Sequence, residues 1–251
     1  MVGMASLLVA GLLRVAVIAH RGEHLAHPEN TLPAVQSAMD LGCDWVEVDV
    51  RTTSDGRHVI IHNDSVDART NGAGKVRAMT FEQIRALDAG VKFSPRFQGV
   101  GVPSFDEVLA LARPRIGVYV DAKDISASDL VAALDRHDMR SRVVVYGSVA
   151  LLQDLTGIAP QVRVMPEAVS VPILNQLLGR LKPRVVAFSA FDFRADIVEV
   201  ARRAKVDIFV DRLGAEDTAQ RWAEAVEWGA TGIQTDHPAE LIEFLKSRGK
   251  R

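Results

Sequence analysis

Short apolar runs and longer amphipathic segments alternate along the whole chain. The apolar runs are rich in β-branched residues, as is typical of strands buried on both faces. The predicted strands are Val15–Ala19, Trp45–Val50, Ile116–Asp121, Val143–Tyr146, Val162–Met165, Val185–Phe188, Asp207–Asp211 and Gly232–Thr235. The intervening segments repeat apolar residues with a helical period. The predicted helices are Thr31–Leu41, Ser104–Leu111, Ser128–His137, Val149–Leu155, Val171–Leu178, Ala195–Ala204, Asp217–Trp228 and Ala239–Lys246.

Strict alternation of strands and helices predicts a parallel sheet. Eight such units within 251 residues predict an α/β fold of the (β/α)₈ TIM-barrel type. A doubly wound open sheet is the structural rival, but no glycine-rich turn follows the first predicted strand, as dinucleotide binding would require. We expect one domain over residues 1–251.

One connection, residues 51–103, is much longer than the others. It contains a predicted hairpin, Thr52–Ile61, and a short helix, Thr80–Leu87, that begins with a capping-box sequence. Because the segment follows the second strand, we predict a small insertion on the rim where barrel active sites lie. We expect the insertion to cover part of the pocket and to screen bulky substrates.

Composition is that of an ordinary globular protein, with 48% hydrophobic and 25% charged residues. The formal net charge of −2 argues against a nucleic-acid partner, because such proteins carry basic patches. The only cysteine, Cys43, excludes an internal disulfide and is consistent with a reducing compartment. Neither composition nor charge predicts the oligomeric state.

The apolar segment Met4–Leu13 is too short to span a bilayer, so we expect no stable membrane insertion. It also lacks the basic residues that begin a signal peptide. We therefore predict a cytoplasmic protein, with export through a remnant signal as the alternative.

Three carboxylates are predicted at neighbouring strand ends. Glu47 and Asp49 are two apart on the second strand and therefore project from the same face, while Asp121 ends the third strand. Buried carboxylates need a cation or a basic partner. Oxygen ligands favour Mg²⁺ or Ca²⁺ over zinc. A purely structural ion pair with Arg21 or Lys123 is the alternative.

His20 and Arg21 end the first strand, and His62 follows the predicted hairpin. Two imidazoles can carry protons, and a guanidinium suits phosphoryl oxygens. Together with the carboxylates, these residues indicate metal-assisted attack on a phosphate ester. His58 is interpreted as structural, and solvated or capping roles are expected for His24, His27, His137 and His237. Glu167 and Asp192 are weaker candidates on the rim.

An ensemble of short motifs resembles the glycerophosphodiester phosphodiesterase family between about residues 15 and 245. The motifs are His20-Arg21-Gly22, Pro28-Glu29-Asn30-Thr31, Glu47-Val48-Asp49, Asp55-Gly56, Val59 to His62, Gly74-Lys75-Val76, Thr80 to Gly90, Val102-Pro103-Ser104, Asp121-Ala122-Lys123 and Gly232 to Pro238. The resemblance implies a (β/α)₈ barrel that hydrolyses glycerophosphodiesters, small-molecule substrates, to glycerol 3-phosphate and an alcohol.

The resemblance also implies a role for each matching residue. Glu47, Asp49 and Asp121 would bind one divalent cation. Arg21 and Lys123 would bind the substrate's phosphoryl oxygens, and His20 and His62 would be the catalytic acid and base, in an order that remains open.

Two positions depart from the family pattern. Asp121 replaces the usual Glu, which leaves the choice between Mg²⁺ and Ca²⁺ open. The seventh predicted strand ends in the run Phe209 to Gly214 instead of the usual Trp-Thr-Val-Asn, which leaves the alcohol group open. The alternatives are lysophospholipase D-like activity on lysolipids, with Leu25 and residues 93–97 as an apolar groove, and a catalytically silent barrel that binds a phosphodiester.

Overall fold

A computed structural model describes residues 14–251, so the apolar segment at Met4–Leu13 lies outside the described residues. Strands and helices alternate in chain order as the sequence predicts. The strands are β1 Ala16–Ala19, β2 Trp45–Thr52, β3 His58–Ile60, β4 Gly117–Ala122, β5 Val143–Gly147, β6 Arg163–Val164, β7 Val185–Phe188, β8 Asp207–Arg212 and β9 Gly232–Thr235. The helices are α1 Leu32–Leu41, α2 Phe81–Arg85, α3 Phe105–Ala112, α4 Ala127–Arg136, α5 Val149–Ile158, α6 Val171–Leu181, α7 Ala195–Ala204, α8 Ala219–Trp228 and α9 Pro238–Ser247.

All strands except β3 are parallel and follow the order β6-β5-β4-β2-β1-β9-β8-β7. The two end strands approach each other through a parallel bridge between Glu167 and Ala187, which nearly closes the barrel. This confirms the predicted (β/α)₈ fold. Strand β6 has only two residues and is shorter than the predicted run Val162–Met165. Only Arg163 and Val164 keep ladder pairing with β5.

Two helices begin later than predicted because a capping residue stands just before each of them. Ser104 accepts a hydrogen bond from the backbone N–H of Glu107 and precedes α3, and Thr218 accepts one from the backbone N–H of Arg221 and precedes α8. An N-cap side chain satisfies a free amide of the first turn without taking helical dihedrals itself.

Strand β2 shows how the sequence places the acids inside the barrel. Its residues Val46, Val48 and Val50 pack in the layer between the sheet and the helices. The alternate residues therefore face the barrel interior, where Trp45 packs near the bottom and Glu47 and Asp49 follow toward the top.

The predicted insertion after the second strand is confirmed. Strand β3 pairs antiparallel with β2, with His58 opposite Thr52, and forms the predicted hairpin. Helix α2 starts at the predicted capping box of Thr80 and Gln83. The insertion has a small core of its own, formed by Val59, Ile61, Val66, Val76, Ile84, Ala89 and Val102. It therefore stands as a packed unit on the rim of the barrel.

Candidate active site

The three predicted carboxylates meet at the top of the barrel. Asp49 on β2 lies opposite Asp121 on β4 in the strand register, and Glu47 is one inward position below Asp49. One carboxylate oxygen from each residue lies within 4.8 Å of the other two. Glu47 is 3% exposed and Asp49 1%. The structure thus brings the predicted acid cluster together.

Two residues with left-handed backbone conformations hold the cluster in place. The backbone N–H of Arg21, with φ of 52°, donates to Glu47 Oε2 over 2.8 Å. Asn30, with φ of 57°, donates from Nδ2 to Asp49 Oδ2 over 2.7 Å and accepts from the Asp49 backbone N–H. Asparagine tolerates left-handed dihedrals, whereas arginine does so at a cost, so Arg21 is the strained residue of this loop.

Both predicted phosphate-binding cations lie beside the acids. Lys123 Nζ is 3.0 Å from Asp49 Oδ1 and 2.5 Å from Asp121 Oδ2. Arg21 Nε is 3.5 Å from Asp49 Oδ2, and its Nη1 donates to Glu29 Oε1 over 3.2 Å. The ion pairs of the alternative interpretation are therefore present as well as the carboxylate cluster.

The site carries negative charge that these cations compensate only in part. Burial, together with Asp49 and Asp121, raises the pKa of Glu47 well above its ordinary value. Burial likewise raises the pKa of Asp121, although Lys123 acts in the opposite direction. Three close oxygen donors with excess negative charge fit a hard divalent cation such as Mg²⁺ or Ca²⁺.

His20 is fixed by a carboxylate that follows the last strand. Its Nδ1 lies 2.7 Å from Oδ1 of Asp236, and the other oxygen of Asp236 accepts the backbone N–H of Gly214 over 3.1 Å. His24 Nδ1 bonds to the His20 carbonyl oxygen, and His24 Nε2 is 3.4 Å from Asp236. The expected solvated role of His24 is wrong, because its ring lies in the cavity against Asp236.

The charges around His20 act in opposite directions on its pKa. Burial lowers the pKa of His20, and the Arg21 charge adds to this, while the hydrogen bond and charge of Asp236 raise it. Burial alone would raise the pKa of Asp236, but hydrogen bonds from His20 and Gly214 lower it to about 2. Asp236 is therefore a carboxylate at neutral pH and holds the His20 ring in one orientation.

His62 belongs to the insertion and lies in the loop that follows β3. The backbone N–H of Ile61 donates to the Asp49 carbonyl oxygen over 3.0 Å, which ties the start of this loop to β2. Arg51 donates from Nε and Nη2 to the His62 carbonyl oxygen over 2.9 and 2.7 Å. The ring nitrogen Nδ1 lies 2.8 Å from Asn63 Oδ1. A positive charge on His62 would lower the pKa of Asp121.

A cavity of about 410 Å³ opens beside His20. The barrel contributes one wall and the insertion the other. The lining residues are His20, Arg21, His24, Pro28, Glu29 and Asp236 from the barrel side, and Ala68, Arg69, Ala89, Lys92 and Phe93 from the insertion. The insertion thus forms part of the cavity, in the position that the sequence predicts for it.

Asp236 and Asn30 are the site residues that sequence reasoning did not assign a role. Asp236 carried a signal, since it directly follows the predicted strand Gly232–Thr235 at the rim. Asn30 stood only within the motif Pro28-Glu29-Asn30-Thr31, and its contact with Asp49 depends on a loop conformation that the motif does not reveal.

Comparison with known proteins gives one family. A model of the glycerophosphoryl diester phosphodiesterase family matches residues 20–240. A glycerophosphodiester phosphodiesterase from Caldanaerobacter subterraneus subsp. tengcongensis is 31% identical over 254 residues, covering 94% of this chain and all of that protein.

The chain is also similar to solved structures of phosphodiesterases. A glycerophosphodiester phosphodiesterase from Agrobacterium tumefaciens is 30% identical, with a TM-score of 0.83 and coverage of 91% of this chain and 99% of that chain. An Oleispira antarctica phosphodiesterase, solved with its product sn-glycerol-3-phosphate, is 20% identical, with a TM-score of 0.84 and coverage of 92% and 96%. The latter similarity shows the fold.

The fold and these relatives together define an enzyme of the phosphoric diester hydrolase class, built on a TIM barrel. The chain belongs to the glycerophosphoryl diester phosphodiesterase family. Within residues 14–251, no helix is both long and apolar enough to cross a membrane.

Proposed function

We propose that the protein hydrolyses glycerophosphodiesters to glycerol 3-phosphate and an alcohol, with one divalent cation, Mg²⁺ or Ca²⁺, held by Glu47, Asp49 and Asp121. The observation that carries this proposal is the convergence of these three carboxylates at the mouth of a barrel of this family. When bound there, the cation would neutralise charge on a phosphoryl oxygen.

Arg21 and Lys123 would bind the phosphoryl oxygens of the substrate. Their guanidinium and ammonium groups lie against Asp49, so both positive charges border the place where the cation would bind. Donors already in position need no rearrangement when charge develops on the phosphate.

His20 and His62 would transfer the protons. Nδ1 of His20 is engaged by Asp236 and Nδ1 of His62 by Asn63, which leaves Nε2 of each ring for the reaction. One histidine removes the proton of the attacking oxygen, from water or from the substrate's glycerol hydroxyl. The other donates a proton to the departing alkoxide.

The test is a panel of glycerophosphodiesters in which glycerol 3-phosphate release is measured with and without chelator. We expect product from at least one substrate, loss of product on chelation, and recovery with Mg²⁺ or Ca²⁺. Binding of the diesters without any release of product would contradict the proposal and favour a silent phosphodiester-binding barrel.

Lysophospholipase D-like activity is a second candidate, favoured by apolar side chains exposed on the catalytic rim. Leu25 is 52% exposed, Phe93 42% and Phe191 88%, and each follows the carboxyl end of a barrel strand or lies in the insertion. An acyl chain leaving the mouth would cover these side chains. Phe191→Ser should then lower the rate on lysolipids relative to a soluble diester. Ile158→Ser, at a residue 54% exposed at the end of α5, is the matched control.

We further propose that residues 1–251 act as a single domain in the cytoplasm, in lipid and glycerol metabolism. The buried Cys43 has no disulfide partner, which supports a reducing compartment. Cell fractionation tests the compartment: we expect the native protein in the cytoplasmic fraction, and its recovery in the exported fraction would contradict the proposal.

A further inference from the structure

A second cavity, of about 350 Å³, opens at the end of the barrel opposite to the three carboxylates. Its lining comes from the amino ends of five strands: Arg14 and Ala16 at β1, Trp45 at β2, Gly117 at β4, Arg142 at β5 and Arg163 at β6. These strands are parallel and adjacent in the sheet, so their amino ends meet at one face of the barrel. The cavity therefore lies apart from the candidate active site, which forms at the carboxyl ends.

Positive charge dominates the wall of this cavity. Three arginines line it, and among its described lining residues the only acid is Asp44. That acid is already engaged, since Arg14 Nη2 lies 2.5 Å from Asp44 Oδ1 and Arg251 pairs with Asp44 Oδ2. The backbone N–H of Val17 also donates to Oδ2, over 2.8 Å. Asp44 thus compensates charge at Arg14 and Arg251 and forms no ion pair with the other two arginines of the wall.

Those two arginines, Arg142 and Arg163, have no acid of their own. Between residues 14 and 251, neither guanidinium is in an ion pair, and the buried Nε of Arg142 has no hydrogen-bond acceptor. Arg163 donates from Nη2 to the Ser141 carbonyl oxygen over 3.1 Å, which places its guanidinium beside the residue that precedes Arg142. A guanidinium has several N–H donors, so both side chains keep donors for a ligand.

The surroundings of Arg163 do not favour its charge. Burial lowers the pKa of Arg163, and although Asp207 raises it, the nearby charge of Arg184 lowers it further. An anion bound beside Arg163 would act in the opposite direction to burial, because an opposite charge stabilises the ionised form.

The indole of Trp45 holds Arg163 in position. Arg163 Cζ lies 4.7 Å from the centre of the Trp45 ring, the geometry of a cation–π contact. The ring itself lies so close to Gly117 that a Cβ at this position would collide with it. One guanidinium of the cavity is therefore oriented before any ligand arrives, which lowers the entropic cost of binding.

We propose that this cavity binds a small phosphate dianion, inorganic phosphate or a phosphomonoester, through Arg142 and Arg163. Planar guanidinium groups match phosphate oxygens with pairs of parallel hydrogen bonds. A dianion would compensate the two charges that no acid of residues 14–251 pairs with. A small ligand is favoured over an extended one because the arginines line a concave space of about 350 Å³. The inference does not depend on the proposed function, because the two sites lie at opposite ends of the barrel.

The indole N–H of Trp45 gives a readout at this cavity that needs no turnover. In a titration with inorganic phosphate at constant ionic strength, we expect a saturable NMR shift of this resonance, which is assigned by its loss in Trp45→Phe. Arg142→Gln should weaken phosphate binding by about tenfold or more, because a charge-assisted contact is lost. Arg115→Gln is the matched control and should bind as the wild type does. Arg115 stands just before β4 at the same end of the barrel, but it pairs with Asp40.

A variant of the candidate active site separates the two regions that could take phosphate. Lys123→Gln should keep the shift of Trp45, and its loss in that variant would place the phosphate at the active site and overturn the inference. The absence of a saturable shift in the wild-type protein, or unchanged affinity in Arg142→Gln, would overturn it as well. If Arg142→Gln does not fold, Arg142→Lys is used, which keeps the charge without the planar fork and should also bind more weakly.

Two further arms identify the source of the phosphate group. Tighter binding of glycerol 3-phosphate than of inorganic phosphate would assign the cavity to a phosphomonoester, and equal or weaker binding would assign it to inorganic phosphate. Vesicles of phosphatidylcholine and phosphatidylglycerol test a lipid surface. Binding to these vesicles without any shift by free phosphate would overturn the small-anion site.

Discussion

The imidazole of His20 and the carboxylate of Asp236 are 216 residues apart in the chain and 2.7 Å apart in space. The contact exists because β1 and β9 are neighbours in the barrel, with Ala19 opposite Thr235 in the register. Behind Asp236, its backbone N–H donates to the buried Asp217 carboxylate, which also accepts from Trp222. The orientation of the histidine is therefore fixed by the closure of the barrel.

We predict that Asp236→Asn shifts one limb of the pH–rate profile to lower pH. Asp236 raises the pKa of His20, whereas burial and Arg21 lower it, so removing the carboxylate leaves only the lowering effects. The side-chain oxygen of the new asparagine can still accept a hydrogen bond from Nδ1–H of His20, which preserves the orientation of the ring. If His20 is the base, the acidic limb of kcat/KM moves, and if it is the acid, the alkaline limb moves. Unmoved limbs would show that Asp236 does not tune His20.

His20→Ala and His62→Ala should each reduce kcat by about 10²-fold or more, the size of a lost acid–base contribution. Both residues are on the rim and only partly buried, so the free energy of unfolding should change little. His58→Ala is the matched control for His62→Ala. His58 lies in β3, just before His62, and its ring is hydrogen-bonded to the hydroxyl of Thr52. A variant that keeps more than a tenth of wild-type turnover removes that histidine from the mechanism.

Metal binding can be measured without catalysis. Isothermal titration calorimetry with Mg²⁺ and with Ca²⁺ should show one site in the wild-type protein, and Asp49→Asn and Asp121→Asn should abolish it, because hard cations need these oxygens. Asp106→Asn, in an acid on α3 that pairs with Arg136, is the control. Retention of the heat signal in Asp49→Asn and Asp121→Asn would instead favour the structural ion pair.

Gly22→Ala should destabilise the fold more than Gly56→Ala. Both glycines have left-handed dihedrals, with φ of 81° and 75°, so both substitutions carry backbone strain of about 1 kcal/mol. Only at Gly22 would the added Cβ meet backbone, 2.7 Å from the Ala34 carbonyl carbon. Urea unfolding of the two variants compares the losses. An equal decrease in the free energy of unfolding for both variants would contradict the prediction. It would mean that the loop between Arg21 and Asn30 can move away from the added Cβ without loss of stability.

Local pattern was enough to predict the eight barrel strands and the insertion. Glu47 and Asp49 share a face because a strand alternates with a period of two, and this holds in any sheet. The ends of the apolar runs placed His20 and Asp121 at the ends of strands. The structure brings the carboxylates of Glu47, Asp49 and Asp121 together. The single-domain boundary and the roles of the individual site residues stay predictions.

The partner of each side chain at the site depends on the tertiary structure, although the sequence already offered Lys123 as a possible partner of the carboxylates. Lys123 lies on Asp49, Asn30 supports the same carboxylate, and His24 turns into the cavity. Each contact depends on strand register or on a left-handed loop residue, which no local period encodes.

The order of the elements, the inward face of each strand and the residue types at the mouth follow from the amino-acid sequence. Which of those residues become partners depends on how the barrel closes. His20 meets Asp236, while Asp211 lies beside Gln234, because closing the barrel fixes the neighbours and register of strands far apart in the chain. Side-chain direction is a property of one strand, whereas pairing is a property of two.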